Sequence, residues 1–192
     1  PIGVLGFANT GARQACSSTP EATGDSRPTE STSLPWIFEN MEGDASSMST
    51  FNANTGRTPA AAVFNGQLYV FSYEQTGGNL RLARTAPEWR FSTLDGIPGA
   101  GRKDGNVGQA PALAVHGNTL HAFYYDAGGG NLRHAFTTDG ISWHYEDLDG
   151  TAGSILRHNG NMGQSPAAVS HGDGSLHVLH RDADTGNLRH AW

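Results

Sequence analysis

The chain has 192 residues, 26 of them glycine, with 16% charged residues and a formal net charge of −6. That length supports one domain with a real core, and the acidic balance excludes the basic surface that non-specific nucleic-acid binding needs. No apolar run approaches the roughly 18 residues of a membrane-spanning helix, which excludes membrane insertion of that kind.

Residues 1–35 stand apart from the rest. Ile2–Ala8 (IGVLGFA) is an apolar run broken by glycine, and residues 17–35 are rich in Ser, Thr, Pro and acids, which is linker composition. A docking tail and linker is expected over 1–35, with Ile2, Val4, Leu5 and Phe7 seated on another protein subunit. The single cysteine, Cys16, cannot close an internal disulfide and is available to a partner chain through residues 1–16. The alternative is a frayed terminus carrying a free thiol. The chain opens at Pro1 without Met or a signal-peptide pattern, which reads as a processed product or a fragment. Low lysine content with many Gly, Ser, Thr and Asn suits an exported, secreted β protein.

From residue 36 to 192 one unit is written three times. Gly56–Arg84, Gly108–Phe136 and Gly163–Trp192 align, with Asn-Leu-Arg triplets starting at Asn79, Asn131 and Asn187. The period of about 50 to 55 residues is that of propeller blades. Each unit divides into four short strands. The first follows Pro59, Pro111 or Pro166 and is built of small residues, suited to crowded inner strands. A Gly/Asn hairpin turn follows. In the second strand Tyr69, Phe71 and Tyr73 alternate with Leu68, Val70 and Ser72, so both faces carry bulk, as in a sheet packed between two others. The third begins at each Asn-Leu-Arg, and the fourth at Trp36, Trp89 and Trp143.

The predicted fold is all-β: a β-propeller-type domain of three four-stranded blade repeats over 36–192. The chain enters at a fourth strand and stops at a third, so one unit is split and its strands can pair to remove exposed edges. Three blades are fewer than the usual four to eight. A homodimer completing a six-bladed ring, a truncated larger propeller and a threefold trefoil- or prism-like domain all satisfy this phase.

Candidate ligand-binding residues are those that recur once per unit with chemistry suited to flat, hydroxyl-rich ligands. Aromatic faces come from Trp36, Trp89 and Trp143 and from Tyr73 and Tyr125, whose third counterpart is Arg181. Polar groups come from Arg81, Arg133 and Arg189, from His121 and His177 (counterparts of Tyr69), and from Asp126 and Asp182 (counterparts of Glu74). A Trp in every blade also serves inter-blade packing, and an Arg with a nearby acid also serves as a structural ion pair. His177 and His180 fall on opposite sides of a strand, so no metal or cofactor is expected. Asp182–Asn187 resembles part of a calcium loop but lacks its downstream Glu and reads as turn chemistry. Thr138–Trp143 resembles an Asp-box turn with Asp and Gly adjacent. No nucleophile elbow, HExxH or phosphate loop is present, and Glu146 and Asp147 point apart, so no catalytic residues are expected.

The G-x-[ST/A]-P-A strand start, the D-x-x-G-N-L-R-H-A turn and the D-G-x-x-W-x-x-x-x-L-D-G segment resemble the PLL-like bacterial tandem-repeat propeller lectins over residues 36–192. The resemblance implies glycan binding between adjacent blades. The apolar tail joined to such repeats more faintly resembles the lectin and adaptor subunits of secreted umbrella toxin particles. The expectation is an exported, non-enzymatic carbohydrate-binding module attached to a partner by its tail. The alternatives are a structural adaptor that binds no sugar and a glycosidase accessory domain cut from a longer chain.

Overall fold

A computed structural model describes residues 36–44, 48–49, 51–151 and 157–192, and every regular element in them is a β-strand. Ile2, Val4, Leu5, Phe7, Cys16 and the linker lie outside the described residues. Residues Pro1–Ile37 and Phe38–Trp192 are two compact units. Of the first, Trp36 and Ile37 are described, both exposed.

The second unit holds three antiparallel sheets, each an up-and-down meander. The first contains β1 (Arg57–Phe64), β2 (Gln67–Glu74), β3 (Asn79–Thr85) and β4 (Trp89–Asp95). The second contains β5 (Val107–His116), β6 (Thr119–Asp126), β7 (Asn131–Thr137) and β8 (His144–Asp149). The third contains β9 (Gln164–Ser170), β10 (Leu176–Arg181) and β11 (Leu188–Ala191). The small residues of β1, β5 and β9 let these strands neighbour one another, β1 against β5 and β5 against β9.

The inner strands start in the same way. Thr58, Ala110 and Ser165, each before a proline, hold φ of 48°, 49° and 46°, a region costly for residues with a Cβ. β1 and β5 slip register there, at Arg57/Ala60 and Gln109/Ala112, and β10 slips opposite β9 at Leu179/Arg181. The repeated G-x-x-P is therefore a bulge motif. Its glycine is required by close approach: a Cβ on Gly108 would lie 2.6–2.7 Å from Leu80 of β3. At Gly56, which has no described sheet before it, an added Cβ meets nothing within 4 Å.

The alternation of β2 and β6 places two cores. Tyr69, Phe71, Leu80 and Leu82 of the first sheet pack against Leu120, Ala122, Tyr124 and Ala135 of the second, closed by Trp143 just before β8 and by Tyr145 of β8. The opposite face of the second sheet supplies Phe123 and Leu132, which meet Val178 of the third with Leu148, Ala168 and Leu176 at the margin. The second sheet is thus packed on both faces, as the two-sided bulk of its sequence predicts.

One expected strand is missing. Trp36–Asn40 forms no strand, and Trp36, Ile37 and Phe38 are 86–90% exposed. The backbone just beyond has other partners: Met48 N donates to Asn40 O, Ser49 N to Met41 O and Gly43 N to Phe51 O. The third sheet accordingly has three strands, and β11 has no hydrogen-bonded neighbour on its outer side among the described residues.

Candidate functional site

The repeated arginines tie neighbouring sheets together. Arg133 Nε of β7 donates to Asp95 Oδ2 at the end of β4 (2.9 Å), and Arg189 Nε of β11 donates to Asp149 Oδ2 at the end of β8 (2.7 Å). Arg81 of β3 makes the same contact with Glu42, the counterpart of Asp95 and Asp149 in the segment before β1. Asp95 also accepts from the Tyr124 hydroxyl at 2.7 Å, and Arg133 continues to Asp147 at 3.0 Å. Burial works against the Arg133 charge, but Tyr124, Asp95 and Asp147 outweigh it and raise its pKa. Arg81 and Arg133 are buried by these clips, while Arg189 is half-buried.

The acids at the ends of β2, β6 and β10 cap turns. Asp126 accepts from Gly129 N (2.8 Å), Asn131 Nδ2 (3.3 Å) and Lys103 Nζ (2.6 Å). Burial raises its pKa, but the Lys103 and Gly129 hydrogen bonds prevail and leave it lowered. Asp182 accepts from the backbone of Asp184 and Thr185 and from the Thr185 hydroxyl, the turn chemistry expected of that loop. Asp139 does the same in the Asp-box-like segment, accepting from Ile141 N and Ser142 N at 2.7 Å each.

Tyr73 and Tyr125 are buried with their hydroxyls donating to Asn106 and Asn161 at 2.6 Å. Tyr73 borders a polar pocket of about 380 Å³ with Arg57, Gln75, Asn106 and Gln109, beside the bulge residues Thr58 and Ala110. Trp89 is half-buried and stacks on Phe91, Trp143 meets Phe71 edge-on, and Trp36 stands exposed. The twelve candidate ligand-binding residues therefore do not converge on one place.

His121 does reach a site, whereas His177, on the strand face opposite Val178, does not line it. Between the second and third sheets lies an open cleft of about 420 Å³, bounded by His121, His134 and Glu146 on one side and by Ser175, Val178 and Trp192 on the other. At the corresponding joint between the first two sheets, Trp143, just before β8, and Tyr145 of β8 fill the space. The third sheet has no described fourth strand, so no such rings close the second joint.

The cleft wall is a pile of flat rings. Phe123 and His134 stack at 4.6 Å, His134 and Phe136 at 4.9 Å, and Phe136 and His144 at 5.2 Å. A carboxylate only accepts, so His134 Nδ1–H donates to Glu146 Oε1 (2.9 Å). His134 Nε2 is then an acceptor for His121 Nδ1–H at 2.9 Å, and His121 Nε2 is left as a hydrogen-bond acceptor. Burial first, then His134 and His116, lower the His121 pKa to about 4. Burial also lowers that of His134 against the pull of Glu146. Both imidazoles are neutral near pH 7.

A second pile runs along the third sheet: His177 on His190 (5.0 Å) and His190 on Trp192 (5.0 Å). Trp192 is 84% exposed at its end. The recurrence of His at 121/177 was visible in the sequence, whereas His134, Glu146, Ser175 and Trp192 were not singled out as ligand groups. The signal available was the three-way alignment itself, in which Leu82, His134 and His190 occupy one column.

No family model matches the chain, and no curated protein matches it. Among solved structures it is similar to Zg3597, a family 117 glycoside hydrolase produced by the marine bacterium Zobellia galactanivorans, at 13% identity and a TM-score of 0.46, covering 72% of this chain and 52% of that one. It is similar also to a hypothetical protein from Leishmania major at 14% identity and a TM-score of 0.41, covering 72% and 42%. The chain spans about half the length of the proteins it matches. Both scores are too low for the likeness to carry an argument about fold, activity or site.

Proposed function

We propose that residues 36–192 are propeller-type blades forming a non-catalytic carbohydrate-binding module, with the cleft between the second and third sheets as its binding site. The observation that carries this reading is the cleft itself: an open groove with the exposed Trp192 ring on one side and neutral, hydrogen-bonding imidazoles with Glu146 on the other. The C–H face of a sugar ring stacks on the apolar face of Trp192, whose hydrophobic surface is otherwise left to solvent. Sugar hydroxyls donate to Glu146 and to His121 Nε2, and exchange hydrogen bonds with Ser175. The meanders with adjacent first strands support the blade assignment. Export and attachment to another subunit through residues 1–16 belong to the same reading, supported by composition.

A glycan array followed by titration of the best ligand tests the assignment. Trp192→Ala and Glu146→Gln are each expected to weaken binding by about tenfold, roughly one good contact. Failure of any glycan to bind at millimolar concentration, or binding indifferent to both variants, refutes it.

The structural-adaptor reading has its own support in the exposed Trp36, Ile37 and Phe38 and in the unpaired β11 edge with Leu188 74% exposed. An adaptor without sugar affinity gives a blank array and a co-purifying protein. A homodimer completing a ring belongs with this reading, and the mass of the protein in solution decides it.

A further inference from the structure

The hairpin joining β9 and β10 differs from its two counterparts. Three residues separate Phe64 from Leu68 and His116 from Leu120, but four separate His171 from Leu176. The longer tip places a carboxylate, Asp173, between two histidines. His171 Nδ1 lies 3.0 Å from Asp173 Oδ1. Ser175 Oγ lies 2.5 Å from that same oxygen and 2.6 Å from His177 Nε2. One ligand atom from each of His171, Asp173 and His177 lies within 4.8 Å of the other two.

We propose that His171, Asp173 and His177 form a binding site for a divalent transition-metal ion of the zinc class. Two imidazole nitrogens and one carboxylate oxygen at this spacing can all reach an ion with bonds of about 2.0–2.2 Å. The mixed donor set favours Zn²⁺, Co²⁺ or Ni²⁺ over Ca²⁺ and Mg²⁺, which take oxygen shells.

The surroundings suit this role. His177 Nδ1 lies 2.9 Å from His190 Nε2. With an ion on Nε2, Nδ1–H donates to His190 Nε2, the orienting contact that metal-bound histidines use. His190 is fixed in turn by its stack on Trp192. Asp173 is held by the Ser175 hydroxyl and backbone N–H, which both donate to its Oδ1. The hairpin is closed by His171 N donating to Ser175 O at 2.8 Å. His171 and Asp173 are more than half exposed, so an ion can enter from solvent. In the ion-free state the Ser175 hydroxyl donates to Asp173 and accepts from His177 Nε2–H, a proton that moves to Nδ1 when an ion takes Nε2. Three protein ligands leave a fourth position for water or another oxygen donor, and Gly174 and Ser175 of the same hairpin line the cleft.

The second hairpin supplies an internal control. His116 and His121 sit at the equivalent positions, but the tip residue is Asn118, and His116 Nδ1 meets Ser170 Oγ at 3.0 Å.

The test is calorimetric titration of the 192-residue chain with ZnCl₂ in a Cys16→Ser background, with Co²⁺ absorption as a second readout. A Zn²⁺ ion bound at this hairpin is expected, together with a d–d band of low-coordinate Co²⁺. Asp173→Asn and His177→Ala should each abolish both signals, and His116→Ala should leave them unchanged. His190→Phe, which keeps the stack on Trp192 and removes the orienting nitrogen, should weaken affinity by about 10–100-fold. No binding at millimolar Zn²⁺, or binding that survives Asp173→Asn, overturns the proposal. No glycan enters this experiment, so its outcome is independent of the sugar-binding reading.

Discussion

Single residues in this chain carry two kinds of repetition that look alike in sequence. Arg133 and Arg189 recur because each joint between neighbouring sheets has a clip, Arg81 clips the segment before β1 in the same way, and Asp126 and Asp182 recur because every β-turn of that class needs a cap. Histidine recurs differently, occupying columns where the first unit has Phe64, Tyr69 and Leu82. Its burial has a cost in acid. His121 is lowered to about 4, and burial lowers His134 and His180 as well. Between about pH 4 and 6.5 the unfolded chain therefore binds more protons than the folded one, and stability is lost as pH falls through that window. His121 is half-exposed, so solvent screening reduces its share to on the order of 1–2 kcal/mol. His121→Phe is expected to shrink the fall in urea midpoint between about pH 7 and pH 4.5. An unchanged pH dependence would remove His121 from that account.

At the scale of elements, strand positions were legible because turn residues and two-residue alternation punctuate each unit. Among the described residues, eleven strands fall where the repeat puts them. The fourth strand at Trp36 was not legible, because pairing depends on which backbone is nearby, and residues 40–43 find theirs in residues 48–51. Side-chain spacing does not encode that choice. The clips were half legible. Arg and acid were visible, but the contact runs across units, from Asp95 of one to Arg133 of the next. That pair is buried on both sides, with side chains 4% and 0% exposed. Asp95→Ala strands the Arg133 charge and the Tyr124 hydroxyl, and is expected to cost about 3–5 kcal/mol. Adding Arg133→Met should recover part of the loss. Chemical denaturation of the three variants measures both effects, and a double variant no better than Asp95→Ala contradicts the assignment.

Across the whole second unit the two joints between sheets are unequal. The first buries a broad aromatic and aliphatic cluster and a fully buried clip. The second rests on Phe123, Leu132 and Val178, and its Arg189 side chain is 30% exposed. Stacked units of this kind behave as nearest-neighbour arrays, each held by its own fold and its adjoining interfaces. Amides of β9, β10 and β11 are therefore expected to exchange with solvent faster than those of β5, β6 and β7. Exchange rates measured strand by strand check this, and uniform protection across the three sheets would mean that the joints are equally strong. The sequence could not have ranked them, since both are written with the same motif and differ only in what lies opposite.

The missing closure beside β11 also has a dynamic consequence. The open cleft and the weaker joint are the same place, so anything seated there touches two sheets that otherwise part first. Such a ligand acts as a clamp. At a concentration of about 100 times its dissociation constant it adds about 2.7 kcal/mol to the state it binds, and that gain falls on the opening of the third sheet rather than on the rest of the array. The earliest step of melting then becomes a binding assay, one that reports occupancy without knowledge of which hydroxyl meets which side chain.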